Sequence, residues 1–233
     1  MPTLVSYRLE DSIATITMDD GKVNALSLQM LGELNVALDQ AAADGAVVVL
    51  TGRPDRFSAG FDLNTLRGGG PDALAMLRAG FDLSVRLLSF PRPVVIACNG
   101  HAVAMAVFVL LSADYRIGAS GPYKITANEV AIGLTMPRAA IEICRQRVTP
   151  AAFNRAVLLA EVFAPDEAVA AGLLDRVVPP AQLHEAAASL AHDLATLDRA
   201  AHAESKLRLR GDALRAISAA IEEDRRELSA PPA

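Results

Sequence analysis

The chain has 233 residues, 52 % of them apolar and only 4 % aromatic, so it can bury a sizeable core built mostly from Ala, Val, Leu and Ile. Its formal charge of −5, with no basic tract to offset it, excludes a nucleic-acid partner but leaves room for one anionic small molecule held by a few local cations.

In chain order, Val5 to Arg8 and Ile13 to Met18 read as strands joined by the hairpin turn Glu10-Asp11-Ser12. The second strand alternates, with Ile13, Thr15 and Thr17 on one face and Ala14, Ile16 and Met18 on the other. The N-terminal Met1-Pro2-Thr3-Leu4 has no basic region followed by an apolar stretch, so no secretory leader is expected and the protein reads as cytoplasmic. Ser27 is a candidate N-cap for a helix through Leu28, Leu31, Leu34, Leu38 and Ala42, ended by Asp44-Gly45. Val47 to Leu50 lacks polar relief, as a strand covered on both faces does.

After the break at Thr51-Gly52 comes Arg56-Phe57-Ser58-Ala59-Gly60-Phe61-Asp62-Leu63. Small residues at Ala59 and Gly60 allow close approach to the backbone, and Asp62 is placed to cap a helix starting at Leu63. A strand, a small-residue turn and a capped helix present free N–H groups at a positive helix end. Such groups suit a carbonyl oxygen on which charge develops, although an ordinary strand-to-helix turn has the same pattern.

Gly68-Gly69-Gly70 reads as a flexible loop, either a lid or pocket rim or a plain surface connection. A helix from about Asp72 to Leu88 is stopped by Pro91-Arg92-Pro93. Val94 to Leu111 is long enough and apolar enough to suggest a membrane span, but Asn99-Gly100-His101 interrupts it and Asp114 and Arg116 follow, so a buried strand (Val94 to Cys98) and a buried helix (Ala104 to Ser112) are expected instead. Cys98 and Cys144 sit in apolar settings without metal-ligand spacing, so two buried reduced thiols and no metal site are expected. Asp114 to Gly118, Tyr123 to Thr126 and Leu173 to Val178 read as further strands. Helices are expected at Ala139 to Arg147, Pro150 to Leu159, Pro165 to Gly172, Leu183 to Leu197 and Ala200 to Leu228.

Most acidic residues lie on amphipathic helices or turns. Glu129 lies instead between a strand-like and an apolar run, with no basic residue within three positions, which fits either a cap for the next turn or an acid–base group of raised pKa. His101, at a predicted strand-to-helix turn, fits a hydrogen-bonded structural residue or a catalyst. Ser58 has no nucleophile-elbow context, and phosphate loops and dinucleotide-binding glycine patterns are missing.

Together these segments resemble the crotonase, or enoyl-CoA hydratase/isomerase, family over almost the whole chain. Lys22 to Ser27 is similar to an early "NALS" segment, and Phe57 to Leu63 to the "F-S/C-A-G-x-D-L" signature. Asn99 to Ala102 resembles the start of the second signature, Asp114 to Ile117 the strand after it, Asn128 to Leu134 with Pro137 the third, and Ala168 to Val178 the "A...GLVD.VV" element. The resemblance implies an α/β fold, a crotonase-like spiral of ββα units over 1–180 carrying the acyl-CoA site, and a helical segment over 181–233 serving oligomerisation and cover. It also implies a homotrimer or hexamer, an acyl-CoA thioester as ligand, a place in fatty-acid metabolism, and no cofactor beyond the coenzyme A of the substrate. The thioester oxygen would sit between the N–H groups of Phe61 and Met105. The acyl chain would lie near Phe108, Leu134 and Pro137, and CoA along Lys22, Ala25, Leu26, Arg56, Ala59, Gly60, Asp62 and Leu63, its phosphates meeting Arg56 or Lys206. Of the two glutamates that hydratases of the family use, the first position aligns with Phe108 and the second with Glu129. The motifs are thus most similar to those of the single-glutamate isomerases, which move a 3-enoyl-CoA double bond to the 2-position. A 2-enoyl-CoA hydratase using another acid, such as Asp62 or Asp82, and a non-catalytic acyl-CoA binder with its pose blocked by Ala104-Met105-Ala106 are the alternatives.

Overall fold

The computed structural model describes residues 2–228. A six-stranded sheet in the order β1-β2-β3-β5-β7-β9 forms its centre, from β1 (Val5–Glu10), β2 (Ile13–Met18), β3 (Val47–Gly52), β5 (Val94–Cys98), β7 (Tyr115–Ala119) and β9 (Arg176–Val178). Only β1 and β2 pair antiparallel, with Val5 opposite Met18; the other neighbours are parallel. The alternation in β2 sorts its side chains as its pattern predicts, with Ala14, Ile16 and Met18 in one apolar cluster and Ile13 in the other. Val47, Val49, Val95 and Ala97 point to a face closed by Leu183, Ala187 and Ala191 of α8 (Leu183–Ala195). Val48, Leu50, Val94 and Ile96 point to the opposite face, under α1 (Leu28–Ala43), α3 (Gly70–Ser89) and α4 (Met105–Leu111).

Helix limits agree with the capping chemistry. The Ser27 side chain accepts the Met30 N–H at the start of α1, and Asp62 accepts the Thr65 N–H at the start of α2 (Leu63–Gly68). The three glycines do not form an open loop: α2 ends at Gly68 and α3 begins at Gly70, with Gly69 turning between them at φ +63°. Farther on come α5 (Arg138–Arg145), α6 (Pro150–Val157), α7 (Pro165–Ala171) and the long α9 (Arg199–Leu228), which packs along α3 and α5. The apolar stretch from Val94 to Leu111 is divided among β5, a further short strand and α4, and no helix among the described residues is long and apolar enough to cross a membrane.

Two short strands were hidden in the sequence, and a third was read too long. Asp55–Ser58, read as part of a turn, is β4; Gly100–Val103, read as a turn into a helix, is β6; the expected strand from Tyr123 shortens to β8 (Ile125–Thr126). They form a second, fully parallel sheet in the order β4-β6-β8.

Lys206 is not available for a CoA phosphate. Its ammonium is buried and gives its three protons to Phe90 O at 2.8 Å, Arg92 O at 2.9 Å and the Asp114 carboxylate at 2.6 Å. Arg210 pairs with the other Asp114 oxygen at 3.0 Å, so one carboxylate ties α9 to the start of β7. Nearby, Arg116 grips Asp175 through two side-chain bonds of 2.9 and 2.7 Å. Truncating one member of a buried pair strands the other. Lys206→Ala is therefore expected to cost about 3 kcal/mol in a denaturant titration, while the folded variant keeps wild-type CoA affinity by calorimetry.

Candidate functional site

The small sheet organises the site. Ser58, Ala102 and Ile125 lie side by side on β4, β6 and β8. Beyond their C-terminal ends, the three chains lead in the same direction into Gly60-Phe61, Ala104-Met105 and Asn128-Glu129. Neighbouring strands lie about 4.8 Å apart, so these three exits form one edge, and carboxyl ends of parallel strands are where α/β sheets bind ligands.

Each exit is pinned by its own bonds. The Asn24 side chain, fully buried, donates to Met18 O, Arg56 O and Phe57 O at 2.9, 3.2 and 3.1 Å, fastening the Lys22–Leu26 segment to β4. The Ser58 hydroxyl donates to Asn24 O at 2.6 Å and accepts the Gly60 N–H at 3.1 Å. Leu26 N–H then bonds Gly60 O at 2.8 Å. Ala104 N–H bonds Thr126 O at 2.9 Å, holding the second exit to β8. Asn99 joins the ends of β3 and β5, accepting the Gly52 N–H at 3.1 Å and donating to Gly52 O at 3.1 Å.

Gly60 takes φ +83°, and a Cβ there would stand 2.7 Å from Val103 O and 3.2 Å from Met105 N. The first turn therefore lies directly against the start of α4. Among the described residues the N–H groups of Phe61 and Met105 have no acceptor. The Met105 side chain is buried in the core, so Ala104-Met105-Ala106 fills the interior and leaves the Met105 amide free. The Phe61 ring occupies the space that a side chain at Gly80 would need and meets Phe81 edge-on at 6.3 Å; Phe81 in turn stacks on Phe108 at 6.2 Å.

Ala104 adopts φ +52°, ψ −126°, a conformation that glycine takes readily and alanine does not. Ala104→Gly should relieve this strain, stabilising the protein by about 1 kcal/mol and raising the melting temperature by about 2–4 °C in calorimetry. An unchanged or lower melting temperature would contradict it.

Glu129 is only 7 % exposed and its Oε2 has no hydrogen-bond partner. Burial raises its carboxyl from the ordinary 4.5 to about 7. It does not cap the next turn with its side chain; its backbone carbonyl instead accepts the N–H groups of Ile132 and Leu134 at 3.1 and 2.9 Å. Cys144 of α5 lies close enough that burial and the Glu129 charge together hold its thiol at about 12. Both cysteines are buried and reduced.

The remaining predicted positions divide. Lys22, Ala25 and Asp62 line an open cleft of about 380 Å³ with Leu4, Val23 and Asn64. Leu26 and Gly60 are buried and bonded to each other through Leu26 N–H and Gly60 O, Ala59 and Leu63 are exposed, and half-buried Arg56 lies on β4 with its guanidinium bonded to Asp55 O. Phe108 is buried on α4, Leu134 is exposed in the segment after Glu129, and Pro137 is the N-cap residue of α5. His101 is structural: it lies in β6, its Nδ1 accepts the Lys124 N–H at 3.0 Å, and its ring meets Tyr123 edge-on. The positioning roles of Asn24, Ser58 and Asn99 escaped sequence reasoning; the visible signal, for Asn99, was a polar residue directly after the apolar run Val94–Cys98.

Free amides at two exits of the small sheet and, at the third, a buried carboxyl raised towards neutrality make an arrangement suited to acid–base chemistry on a carbonyl compound. The family model for enoyl-CoA hydratase/isomerase matches residues 8–233, and the chain belongs to that family. A solved structure of an enoyl-CoA isomerase from Mycobacterium tuberculosis is 48 % identical with a TM-score of 0.94, covering 97 % of this chain and 100 % of that one. One of an enoyl-CoA hydratase from Mycobacterium marinum is 45 % identical with a TM-score of 0.93, covering 97 % of this chain and 100 % of that one. Human mitochondrial enoyl-CoA delta isomerase 1 is 34 % identical over 182 residues, 76 % of this chain and 60 % of that protein, so the chain spans less than two thirds of this curated relative's length. The α/β crotonase-type fold expected from the sequence is the fold found.

Proposed function

We propose that this protein is an acyl-CoA double-bond isomerase, converting a 3-enoyl-CoA to the 2-enoyl-CoA with Glu129 as its single acid–base group. The observation that carries this reading is the buried Glu129 carboxyl, raised to about 7 and without a partner on Oε2, while Phe108 supplies no second carboxyl. In this reading the thioester oxygen accepts from the N–H groups of Phe61 and Met105. The Glu129 carboxylate removes a proton from C2, and the electron pair passes into the carbonyl to form a dienolate. The enolate collapses, C2 and C3 become doubly bonded, and the proton held on Glu129 passes to C4. The steps balance without an oxidant, a metal or water.

The two side chains that could serve a hydratase as second acid are otherwise engaged. Asp62 accepts the Thr65 N–H and hydroxyl at 2.8 and 2.9 Å, and exposed Asp82 pairs with Arg78 at 3.3 Å. The cleft beside Lys22, Ala25 and Asp62 supports a CoA site there, with Arg56 the remaining candidate for its phosphates. Assembly as a homotrimer or hexamer, with the helical segment from residue 181 serving assembly and cover, belongs to the same proposal; of its expected span 181–233, residues 229–233 lie outside the described residues.

With Glu129 as base, kcat/KM should rise with pH through an apparent pKa of about 7, because only the carboxylate removes the C2 proton. A pH–rate profile flat from 5 to 8 would contradict that assignment.

A further inference from the structure

Gly80 stands in the middle of α3, where glycine is a poor helix former, and its φ is not positive, so the backbone itself does not call for glycine. What the position needs is room. A Cβ at Gly80 would stand 2.5 Å from both Cε1 and Cζ of Phe61 and 3.5 Å from Cε of Met105. Gly32, the interior glycine of α1, has nothing within 4 Å of the same point. The two side chains that meet at Gly80 thus belong to the two residues whose N–H groups have no acceptor among the described residues. The peptide groups that carry those N–H groups are each held by their oxygen: Leu26 N–H bonds Gly60 O and Val107 N–H bonds Ala104 O, both at 2.8 Å. The side chains supply the second anchor. Phe81, next on α3, meets the Phe61 ring edge-on at 6.3 Å, and Met105 is fully buried at the start of α4.

We propose that Gly80 is a positioning residue for the amide pair: the gap it leaves on α3 seats Phe61 and Met105 against one point and so sets where their N–H groups stand. The inference rests on the reading that this pair binds the thioester oxygen. Preorganised donors act by standing where charge develops, and a small misplacement is enough to weaken them. A methyl at Gly80 would strike the Phe61 ring, which Phe81 flanks, and the displacement passes to the Gly60–Phe61 peptide. Helix propensity favours alanine over glycine at this place, so the glycine sacrifices helix stability for the geometry of the site.

The test is steady-state kinetics of Gly80→Ala on a 3-enoyl-CoA, with Phe61→Leu and the double variant beside it. Gly80→Ala should lower kcat about ten- to a hundredfold and change KM less than about twofold, the signature of an interaction made mainly in the transition state. Phe61→Leu removes the two ring carbons that the methyl would strike, so in that background the same substitution should cost less than about twofold. Acetoacetyl-CoA, a 3-oxoacyl thioester that ionises at C2, gives a readout without turnover. Its bound enolate, followed by ultraviolet absorbance, should form about one to two pH units higher on Gly80→Ala than on the wild type. Wild-type kcat in Gly80→Ala, or an equal loss with and without the Phe61 ring, would overturn the inference. So would a loss of turnover with the enolate titration unmoved, which is what damage away from the amides produces. A wild type that converts no 3-enoyl-CoA would overturn the isomerase reading instead, and the enolate shift alone would then decide the role of Gly80.

Discussion

Glu129→Gln is expected to lower turnover of a 3-enoyl-CoA by about 10²- to 10⁴-fold while acyl-CoA still binds. The amide cannot take the C2 proton, but it keeps the shape and hydrogen-bonding edge of the side chain. The same substitution should stabilise the protein, and the sign follows from burial. The native state holds a proton on Glu129 up to about pH 7, whereas the unfolded chain releases it near the ordinary 4.5. Between those values the unfolded state binds fewer protons, so wild-type stability falls as pH rises. Above about pH 7 the full cost of the buried charge is present, on the order of 3 kcal/mol, and Gln removes it. Denaturant titrations should therefore show the variant and wild type nearly equal near pH 4.5 and the variant more stable at pH 8. A structural carboxylate would give the opposite sign, with Gln destabilising at pH 8.

Gly60→Ala is the second large effect. Gly60 sits at φ +83° with Val103 O 2.7 Å and Met105 N 3.2 Å from where a methyl would be. The added carbon must push the first turn and the start of α4 apart, the two elements that carry the free N–H groups. Losing one well-placed donor costs about 10²- to 10³-fold in kcat. Backbone strain should add about 1–3 kcal/mol of destabilisation. Steady-state kinetics of the folded variant at low temperature would separate the two, and near-wild-type kcat would show that the amide pair is not where the reaction is stabilised.

The large sheet was legible because its strands are long enough to show their pattern. Val47 to Leu50 and Val94 to Cys98 are apolar on both faces, and β2 alternates, so local chemistry and tertiary burial agree. The helices were legible to within a turn, because Ser27 and Asp62 mark their starts by capping. What the sequence hid is the sheet that arranges the site. β4, β6 and β8 have four, four and two residues, too few to establish a period, and Gly100 and His101 favour a turn reading. Their pairing is entirely non-local, Ser58 to Ala102 and Ala102 to Ile125, so no window of sequence contains it. Glu129 was visible as an acid in apolar company, but the depth that raises its pKa comes from tertiary packing. Lys206 misled for the converse reason: on an amphipathic helix a lysine reads as solvated, and its partners Phe90, Arg92 and Asp114 lie about ninety residues or more away in the chain.

The most direct test gives the wild-type protein a 3-enoyl-CoA and, separately, a 2-enoyl-CoA, and separates the products by chromatography. A single acid–base group at Glu129 predicts conversion of the 3-enoyl to the 2-enoyl thioester, with no 3-hydroxyacyl-CoA formed from the 2-enoyl substrate. Steady formation of 3-hydroxyacyl-CoA would contradict the account, since it requires a second acid–base group to activate water where Phe108 now stands.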